Sequence, residues 1–403
     1  MSKKVLFLTG LFPSEIREEI VSNSKFNIQF AADALQWSFV KGLGTYYDDL
    51  TVLNFPFVGS YPILYKVPII KRIAFGSMSG FTGINPGYFN LIGLKNIDIY
   101  LSAKREIKKW ALNTKGEKVI IVYSAFLPFL KAAINSKELF NELKVVLILP
   151  DLPQFMGGPN NVFYRIFKNY TYNALQKLFK KTDGYILLTP YMMEKLPEKK
   201  PFTVIEGIFD NVDISSTATA NDLVIKTILY TGTLARRYGI LNLLAAFNVL
   251  ENITARLIIC GDGDAKDEIK AAAENNPNII YNGSLERLQV LQLQTQASLL
   301  VNPRTAEGEF TRYSFPSKTM EYLASGVPVL IYKLPGIPEE YYEHCYSLDG
   351  VSIKTLSDKI KCILQMDSKT LIEKGKKARD FILNYKNPVA QCKKIVDLIE
   401  NKI

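Results

Sequence analysis

The sequence predicts an α/β protein with two Rossmann-like domains. In each half of the chain, short apolar runs of strand length alternate with longer stretches of helix length. Strands so apolar must be covered on both faces, which favours parallel sheets flanked by helices. A polar segment without periodicity, NVDISSTATAND at 211–222, separates the two series and is typical of a linker. The 403 residues suffice for two separate hydrophobic cores.

The first domain is predicted over 1–210 and begins with a strand at 5–8. This run is not followed by the small-residue cleavage site of a signal peptide, and no apolar run reaches the ~18 residues of a membrane span. Further strands are predicted at 50–54, 97–101, 119–123, 145–149, 184–188 and 203–205. The stretches between them are long enough for crossover helices.

Residues 54–89 interrupt this alternation. The segment is rich in aromatic residues, proline and glycine, and carries Lys66, Lys71 and Arg72 among apolar neighbours. Basic residues interleaved with aromatic ones suit an anionic membrane face or a lipid-linked or sugar-bearing acceptor, while an irregular packed excursion is the structural alternative. An amphipathic helix is predicted at 161–181, where core packing is the usual reason for the apolar stripe and membrane contact the alternative.

The second domain is predicted over 223–380. Its strands are expected at 227–230, 255–260, 278–281, 297–301 and 327–332, and its helices at 240–250, 265–274, 285–294 and 317–324. Residues 381–403 are predicted to form a C-terminal helix that crosses back to the first domain. Two such domains are expected to face each other across a cleft at the carboxyl ends of their strands.

Charge and composition restrict the class of partner and of site. The net charge of +10 favours anionic partners such as sugar nucleotides or an acidic membrane surface. Nucleic acid is not expected, because no dense basic block or nucleic-acid motif is present. His344 is the only histidine, which excludes a multi-His metal site or a His-based triad. Four cysteines without metal or disulfide spacing suit a reducing cytoplasm: Cys260, Cys345, Cys362 and Cys392.

The loop after the strand at 227–230 carries the first group of candidate binding residues. Gly232 directly follows the strand, where its missing side chain allows close approach of a ligand to the backbone. Arg236 and Arg237 lie a few residues further on, and their guanidinium groups can clamp a diphosphate.

The loops after the next strands add to this group. Gly261 and Gly263 follow the strand at 255–260, but Lys266 stands where a dinucleotide fingerprint has its third glycine, which disfavours an NAD-dependent enzyme.

The loop that precedes the helix at 317–324 holds the third group. Ser317 is predicted to cap this helix, and the backbone N–H groups of its first turn, with Lys318 and Arg304 nearby, suit a phosphate. Glu321 is placed to accept hydrogen bonds from a ribose diol. The three loops together indicate a site for a nucleoside diphosphate.

These segments resemble a known family. YTGTLARRYGILNLLAAF, the GDGD loop, LLVNPR, and YSFPSKTMEYLASGVPVL followed by GIPEEYYEH are similar to retaining GT-B glycosyltransferases of family 4. The resemblance extends over nearly the whole chain and is most specific between 230 and 338. In the first half, VLILPDLPQFM and GYILLTPYMMEKL are similar to a bacterial polysaccharide-assembly subgroup. The resemblance implies a GT-B fold and a nucleotide-sugar donor, UDP-sugar in the first place.

The resemblance also implies roles for individual residues. The second glutamate of the family's Glu-x7-Glu signature matches Glu321, whereas the first falls on Tyr313. Tyr238 stands at the position of the usual diphosphate lysine. The usual histidine of the first domain is absent, and Asp151 is its nearest equivalent, either as a hydroxyl-binding residue or as a helix cap. The expected catalytic residues are Arg236, Arg237, Lys318 and Asp151, and the expected donor-binding residues are Gly232, Thr233, Gly261, Gly263, Arg304, Tyr313, Phe315, Ser317 and Glu321.

The expected reaction is transfer of a hexosyl group to an acceptor hydroxyl with retention at the anomeric carbon. Negative charge grows on the leaving phosphate, so cations aimed at it stabilise the transition state more than the ground state. No Asp-x-Asp motif is present, which predicts metal-independent donor binding, and no cofactor is expected. The expected acceptor is a saccharide or an undecaprenyl-linked saccharide in capsule, exopolysaccharide or lipopolysaccharide synthesis. We expect the protein in the cytoplasm, in contact with the anionic inner face of the plasma membrane.

Two alternatives use the same architecture. The departures at Tyr238 and Tyr313 permit a catalytically degenerate subunit that binds a nucleotide sugar and acts as a partner. A GT-B type nucleotide-sugar epimerase is the second alternative, although such an enzyme needs acidic or basic groups poised over the sugar ring. Turnover of a donor with an acceptor separates the first alternative from a transferase.

Overall fold

The computed structural model describes residues 3–25, 28–76, 80–155, 162–210 and 225–403. The chain divides into two compact units. Unit 1 comprises Met1–Ile208 and Pro388–Ile403, and unit 2 comprises Phe209–Asn387. The predicted linker at 211–222 lies outside the described residues.

Unit 1 is a parallel α/β unit. Its strands are β1 Lys4–Thr9, β2 Leu50–Asn54, β3 Ile69–Ile70, β4 Ile73–Phe75, β5 Phe81–Asn85, β6 Tyr88–Phe89, β7 Lys118–Tyr123, β8 Leu143–Leu149, β9 Gly184–Leu187 and β10 Phe202–Val204. Its helices are α1 Arg17–Asn23, α2 Phe30–Gly44, α3 Lys95–Asn113, α4 Leu127–Lys137, α5 Val162–Phe179 and the last helix of the chain, α12 Pro388–Lys402.

The main sheet of unit 1 has the order β10-β9-β8-β7-β1-β2-β5-β4, and only the edge pair β4 and β5 is antiparallel among its described pairs. Every residue of β7 is buried, as expected for a central strand covered on both faces. Helix α12 packs closely on α2. A Cβ atom added at Gly42 would lie 2.2 Å from the carbonyl oxygen of Pro388, so only glycine permits this approach.

The predicted strand at 97–101 is wrong, because these residues lie within α3. Ile99, Ala103 and Ile107 form its buried face at a spacing of four residues, whereas Ile97 and Leu101 are exposed. The alternation of apolar and polar residues over five positions imitates a strand, and only the longer spacing identifies the helix. Part of the irregular segment forms a separate antiparallel pair, β3 with β6.

Unit 2 is also a parallel α/β unit. Its strands are β11 Lys226–Thr231, β12 Ala255–Cys260, β13 Ile279–Gly283, β14 Leu299–Asn302, β15 Val329–Tyr332 and β16 Tyr346–Leu348. Its helices are α6 Ile240–Asn248, α7 Lys266–Asn275, α8 Arg287–Gln296, α9 Lys318–Ala324, α10 Ile353–Leu364 and α11 Ser368–Tyr385. The parallel sheet has the order β13-β12-β11-β14-β15-β16.

This strand order places a topological switch point between β11 and β14. Connections run outward in opposite directions from these two strands, so the loops at their carboxyl ends border a crevice, which is where parallel α/β sheets bind ligands. The three loops that the sequence predicts to bind a nucleoside diphosphate follow β11, β14 and the neighbouring β12.

The end of the chain differs from the predicted boundary at 381. Helix α11 continues to Tyr385 because Phe381 and Ile382 are buried in the core of unit 2. Of the residues in the predicted C-terminal helix, only those from Pro388 onward belong to unit 1. No helix in the described parts of the chain is both long and apolar enough to cross a membrane.

Candidate functional site

Glycines bring the loop after β11 into contact with the loops after β12 and β14. Gly239 has a φ of 77°, and a Cβ atom there would lie 2.1 Å from the carbonyl oxygen of Pro303. Gly261 has a φ of 142°, and its added Cβ atom would lie 1.8 Å from the carbonyl oxygen of Gly232. These positions require glycine because backbone packs directly on backbone.

The same packing explains the Gly-Asp-Gly sequence after β12. A Cβ atom at Gly263 would lie 2.4 Å from the carbonyl oxygen of Leu234, so both glycines of this motif contact the protein's own backbone. Gly232 differs, because its nearest neighbours are side-chain atoms of Tyr230 and Lys318. Thr233 is exposed, and its carbonyl oxygen accepts a hydrogen bond from the Tyr230 hydroxyl at 2.8 Å.

Arg304, in the loop after β14, is a buried cation. The residue is 9% exposed, and among the described residues no carboxylate forms an ion pair with it. Its Nη2 donates to Ser314 Oγ at 2.8 Å, while its Nε is buried without a hydrogen-bond partner in the described part of the chain. The guanidinium group lies 5.1 Å from the ring centroid of Tyr238 and 4.9 Å from that of Phe310. Burial lowers the pKa of Arg304.

Arg237 lies over the same two rings. Its guanidinium carbon is 5.0 Å from the Tyr238 centroid and 5.7 Å from the Phe310 centroid. Arg237 Nη2 also donates to the Tyr238 hydroxyl at 3.3 Å, and no described carboxylate forms an ion pair with it. Two guanidinium groups with unused donors thus converge on one place. The two guanidinium groups repel each other until an anion with several oxygen atoms binds between them. A diphosphate is such an anion.

Arg236 is in a different situation from its neighbour. Its Nε donates to Glu268 Oε1 on α7 at 2.9 Å, and its backbone N–H donates to Asp264 Oδ1 at 2.8 Å. This hydrogen bond to the Glu268 carboxylate raises the pKa of Arg236. The predicted role of Arg236 at a diphosphate would require this ion pair to open.

Lys318 and Glu321 form the second part of the site. Lys318 Nζ and Gln294 Nε2 both donate to Glu321 Oε1, each at 2.7 Å. Burial by itself would raise the pKa of Glu321, but the ammonium group of Lys318 and the two hydrogen bonds outweigh it, so the pKa lies below its ordinary value. Glu321 Oε2 has no hydrogen-bond partner among the described residues and is not enclosed.

Gln294 and Tyr322 are site residues that the sequence did not indicate. Gln294 Nε2 also donates to Thr231 Oγ1 at 3.0 Å, which ties the Glu321 carboxylate to the end of β11. The Tyr322 hydroxyl accepts from the Thr231 N–H at 2.7 Å and donates to the Thr231 carbonyl at 2.9 Å. A polar residue in a predicted helix carries no signal that it points inward, so only the fold identifies these contacts.

Three further predicted site residues lie in or near the loop before α9. The prediction that the Ser317 side chain caps α9 is wrong, because the backbone of Ser317 is already helical and its side chain makes no cap hydrogen bond. Phe315 is buried in the core of unit 2, with its ring 5.1 Å from that of Tyr341. Tyr313 is buried, and its hydroxyl donates to Glu309 Oε1 at 3.2 Å.

Asp151 lies in unit 1, whereas the other predicted site residues belong to unit 2. It follows the carboxyl end of β8, and the residue as a whole is exposed to solvent. Desolvation of its carboxyl group by surrounding protein nevertheless raises its pKa. Unit 2 contains all the others. It brings some of them into two groups: Arg237 with Arg304 over the Tyr238 ring, and Glu321 with Lys318, whose side chain lies near Gly232.

The comparisons with known proteins concern unit 2 and the fold. Residues 218–382 match the family described as Glycosyl transferases group 1, which covers most of unit 2 and less than half of the chain. A search of curated proteins found no match.

Several solved structures are similar over nearly the whole chain. Sucrose-phosphate synthase from Thermosynechococcus elongatus is 13% identical, with 98% of each chain covered and a TM-score of 0.59. The trehalose-6-phosphate protein from E. coli bound with UDP-2-fluoro glucose is 12% identical, with 98% of this chain and 99% of that chain covered and a TM-score of 0.63. Anabaena HepE in complex with UDP is 13% identical, with the same coverage and a TM-score of 0.62.

At these identities the likeness shows the fold. It confirms the predicted class, an α/β protein with two Rossmann-like domains of the GT-B type. Together with the family match over the second unit, the fold supports a glycosyltransferase.

Proposed function

We propose that this chain is a retaining glycosyltransferase that takes a sugar from a nucleoside diphosphate donor, UDP-sugar in the first place. The observation that carries the proposal is the pair Arg237 and Arg304, two guanidinium groups over shared rings with no carboxylate partner among the described residues. The family match over the same unit, and the UDP and UDP-sugar analogue in two structures of this fold, support the donor class.

The two arginines act on the leaving group in this proposal. When the bond between the anomeric carbon and the diphosphate breaks, negative charge increases on the phosphate oxygens. The buried guanidinium of Arg304 is already fixed by Ser314 and two rings, so little reorganisation accompanies this change. The attraction between the guanidinium groups and the phosphate oxygens grows with the negative charge on those oxygens. The arginines therefore stabilise the transition state more than they stabilise the bound donor.

Glu321 binds hydroxyl groups of the donor. Its carboxylate is ionised at neutral pH, since its pKa lies below the ordinary value. Oε1 is occupied by Lys318 and Gln294, which leaves Oε2 to accept hydrogen bonds from a ribose diol. Lys318 is half-exposed and can add its charge to the phosphate side of the same site.

The remaining parts of the proposal concern the acceptor and the cellular setting. The acceptor is a saccharide or an undecaprenyl-linked saccharide of surface polysaccharide synthesis, and Asp151 in unit 1 binds one of its hydroxyl groups. The leaving phosphate accepts the proton of the acceptor hydroxyl, so no protein nucleophile is required. Donor binding in this proposal is independent of metal and of cofactor. The protein acts in the cytoplasm, in peripheral contact with the plasma membrane.

A calorimetric titration with UDP, GDP, ADP and NAD tests the donor site. We expect one nucleoside diphosphate, UDP in the first place, to bind with a dissociation constant that Arg237→Ala and Glu321→Ala both increase. Failure of all four ligands to bind would contradict the proposal. Incubation of a UDP-sugar with polyprenyl-linked saccharides, followed by mass spectrometry of the product, then tests the transfer itself.

A catalytically degenerate subunit that only binds a nucleotide sugar is the second candidate. One observation favours it: Tyr313 stands where the resemblance places a carboxylate, and it is buried against Glu309. Binding of UDP without turnover of any UDP-sugar, with acceptor or with water, would support this candidate over the transferase.

A further inference from the structure

The antiparallel pair of β3 and β6 in unit 1 has an apolar outer face. Ile69 in β3 pairs directly with Phe89 in β6, and both side chains are about half exposed. The neighbouring pair, Ile70 with Tyr88, is buried on the opposite face. This strand pair therefore packs on the core through one apolar face and presents a second apolar face to solvent.

Helix α3 continues this exposed apolar surface. Leu94, Ile97 and Leu101 are spaced by three and four residues and are each more than half exposed. This spacing places them on one side of the helix, opposite the buried Ile99 and Ala103. An outward stripe of this kind is unexpected on a helix that already buries its inner apolar face.

The strand pair and helix α3 are joined by polar contacts. The backbone N–H of Phe89 donates to Asp98 Oδ2 on α3 at 2.7 Å, and Arg72, two residues after β3, donates to Glu106 Oε1 at 3.4 Å. Ile92, also exposed, lies on the short connection between β6 and α3. These residues form one surface, called here the apolar patch: Ile69, Phe89, Ile92, Leu94, Ile97 and Leu101.

The surroundings of the apolar patch are basic. Residues 58–112 contain eight Lys and Arg against two acidic residues. Both acids are engaged within the protein, Asp98 by the Phe89 amide and Glu106 by arginines. Arg105 and Lys108 extend the outward stripe of α3 beyond Leu101, and both are exposed.

We infer that the apolar patch and its basic border dock unit 1 on an anionic lipid bilayer. The aliphatic and aromatic side chains enter the boundary between headgroups and acyl chains, and the cations lie at the lipid phosphates. A soluble surface rarely exposes so many neighbouring apolar side chains without a partner. A second copy of this chain is the less suitable occupant, because two basic borders repel each other while an anionic membrane attracts them. This docking rests on the proposed function, because the apolar patch is the surface that brings unit 1 to a lipid-linked acceptor.

Flotation of the full chain with lipid vesicles tests this surface. We expect binding to vesicles of phosphatidylcholine mixed with phosphatidylglycerol, weaker binding as salt increases, and little binding to phosphatidylcholine alone. The variant Ile97→Ser with Leu101→Ser should lower the partition coefficient at least about tenfold, because it removes inserted apolar area. Arg105→Ala with Lys108→Ala should lower it about 25-fold, since each cation near an anionic surface contributes roughly a fivefold factor.

Matched variants in unit 2 control for loss of hydrophobicity and of charge. Leu288→Ser with Ile372→Ser replaces two exposed apolar residues, and Lys376→Ala with Lys377→Ala replaces two exposed lysines. Both controls should bind vesicles as the unmodified chain does. Equal losses in the controls, or no binding to anionic vesicles, would overturn the inference. So would a patch variant that changes the oligomeric state in sedimentation while it leaves flotation unchanged.

Stabilisation by UDP, measured by thermal unfolding of every variant, separates this inference from the proposed function. The apolar patch shares no residue with the donor site, so patch variants should keep their response to UDP. Vesicle binding without any UDP response would leave the docking surface standing and refute the donor site. A UDP response without vesicle binding would refute the docking surface alone.

Discussion

Replacement of Arg304 by methionine is a direct test of the diphosphate site. The guanidinium carbons of Arg304 and Arg237 lie 5.1 Å and 5.0 Å from the centroid of Tyr238, so they are at most about 10 Å apart. At an effective dielectric constant of about 20, two like charges at that distance repel by about 1.7 kcal/mol. Arg237 is exposed, and screening by solvent and salt reduces this repulsion to about 1 kcal/mol.

Arg304→Met should therefore leave the thermal unfolding temperature of the ligand-free protein unchanged or raise it. The substitution removes an uncompensated buried charge and keeps an apolar side chain between the Tyr238 and Phe310 rings. The affinity for UDP should fall about ten- to a hundredfold, because a hydrogen bond to a charged group contributes about 1.5–3 kcal/mol. Calorimetric titration and thermal unfolding measure the two effects separately.

Arg236→Met is the matched control, since Arg236 is two positions before Tyr238 and already paired with Glu268. It should change the UDP affinity less than about threefold, because the Arg236 guanidinium is already engaged by Glu268 and an exposed ion pair contributes little to stability. Tyr238→Leu should weaken UDP binding, and its effect should not add to that of Arg304→Met if the ring positions the guanidinium. An equal loss in Arg236→Met and Arg304→Met would refute the distinction between the two arginines.

Three further predictions concern the structure around the site. In urea unfolding, Gly261→Ala should lower the free energy of unfolding by at least about 2 kcal/mol, because the added Cβ atom would collide with the backbone. Gly350→Ala is the control: Gly350 also has a positive φ but lies in open space, so the loss should be only about 1 kcal/mol. Tyr322→Phe should destabilise the protein by about 1–3 kcal/mol in the same assay, since it leaves the buried Thr231 N–H without its partner. The ionised form of Glu321 stabilises the protein above its ordinary pKa of 4.5, and this contribution disappears as the pH falls through the lowered folded pKa. The difference in unfolding temperature between the unmodified chain and Glu321→Gln should thus be constant from about pH 5 to 8 and shrink in more acidic solution.

The parallel strands and their loops were predictable because their signals are local. A buried parallel strand is a continuous apolar run, and the residue type that follows it is read directly from the sequence. Gly232, Gly261 and Arg304 were placed at strand ends in this way. The strand at 97–101 was wrong for the same reason, since five alternating residues cannot distinguish a strand from the start of α3.

The electrostatic state of each candidate was not predictable from local signals. Arg236 and Arg237 are adjacent and chemically equal, yet Glu268, on another helix, pairs with only one of them. The burial of Arg304 depends on rings from two different loops, at Tyr238 and Phe310. Such pairings arise when loops from separate strands converge, and they decide which cation remains available for a ligand.

Tyr238 illustrates how a departure from a family pattern can preserve a site. The resemblance places a lysine at this position, and its absence by itself favours a degenerate binding subunit. The structure shows a guanidinium from the loop after β14 packed on the Tyr238 ring, with Arg237 on the same ring. Two positive charges therefore lie over this ring although the lysine is absent. Because the aromatic ring holds both cations without neutralising either, the absence of the lysine does not remove the positive charge that the proposed diphosphate site requires. Tyr238 by itself is thus no argument for the degenerate subunit.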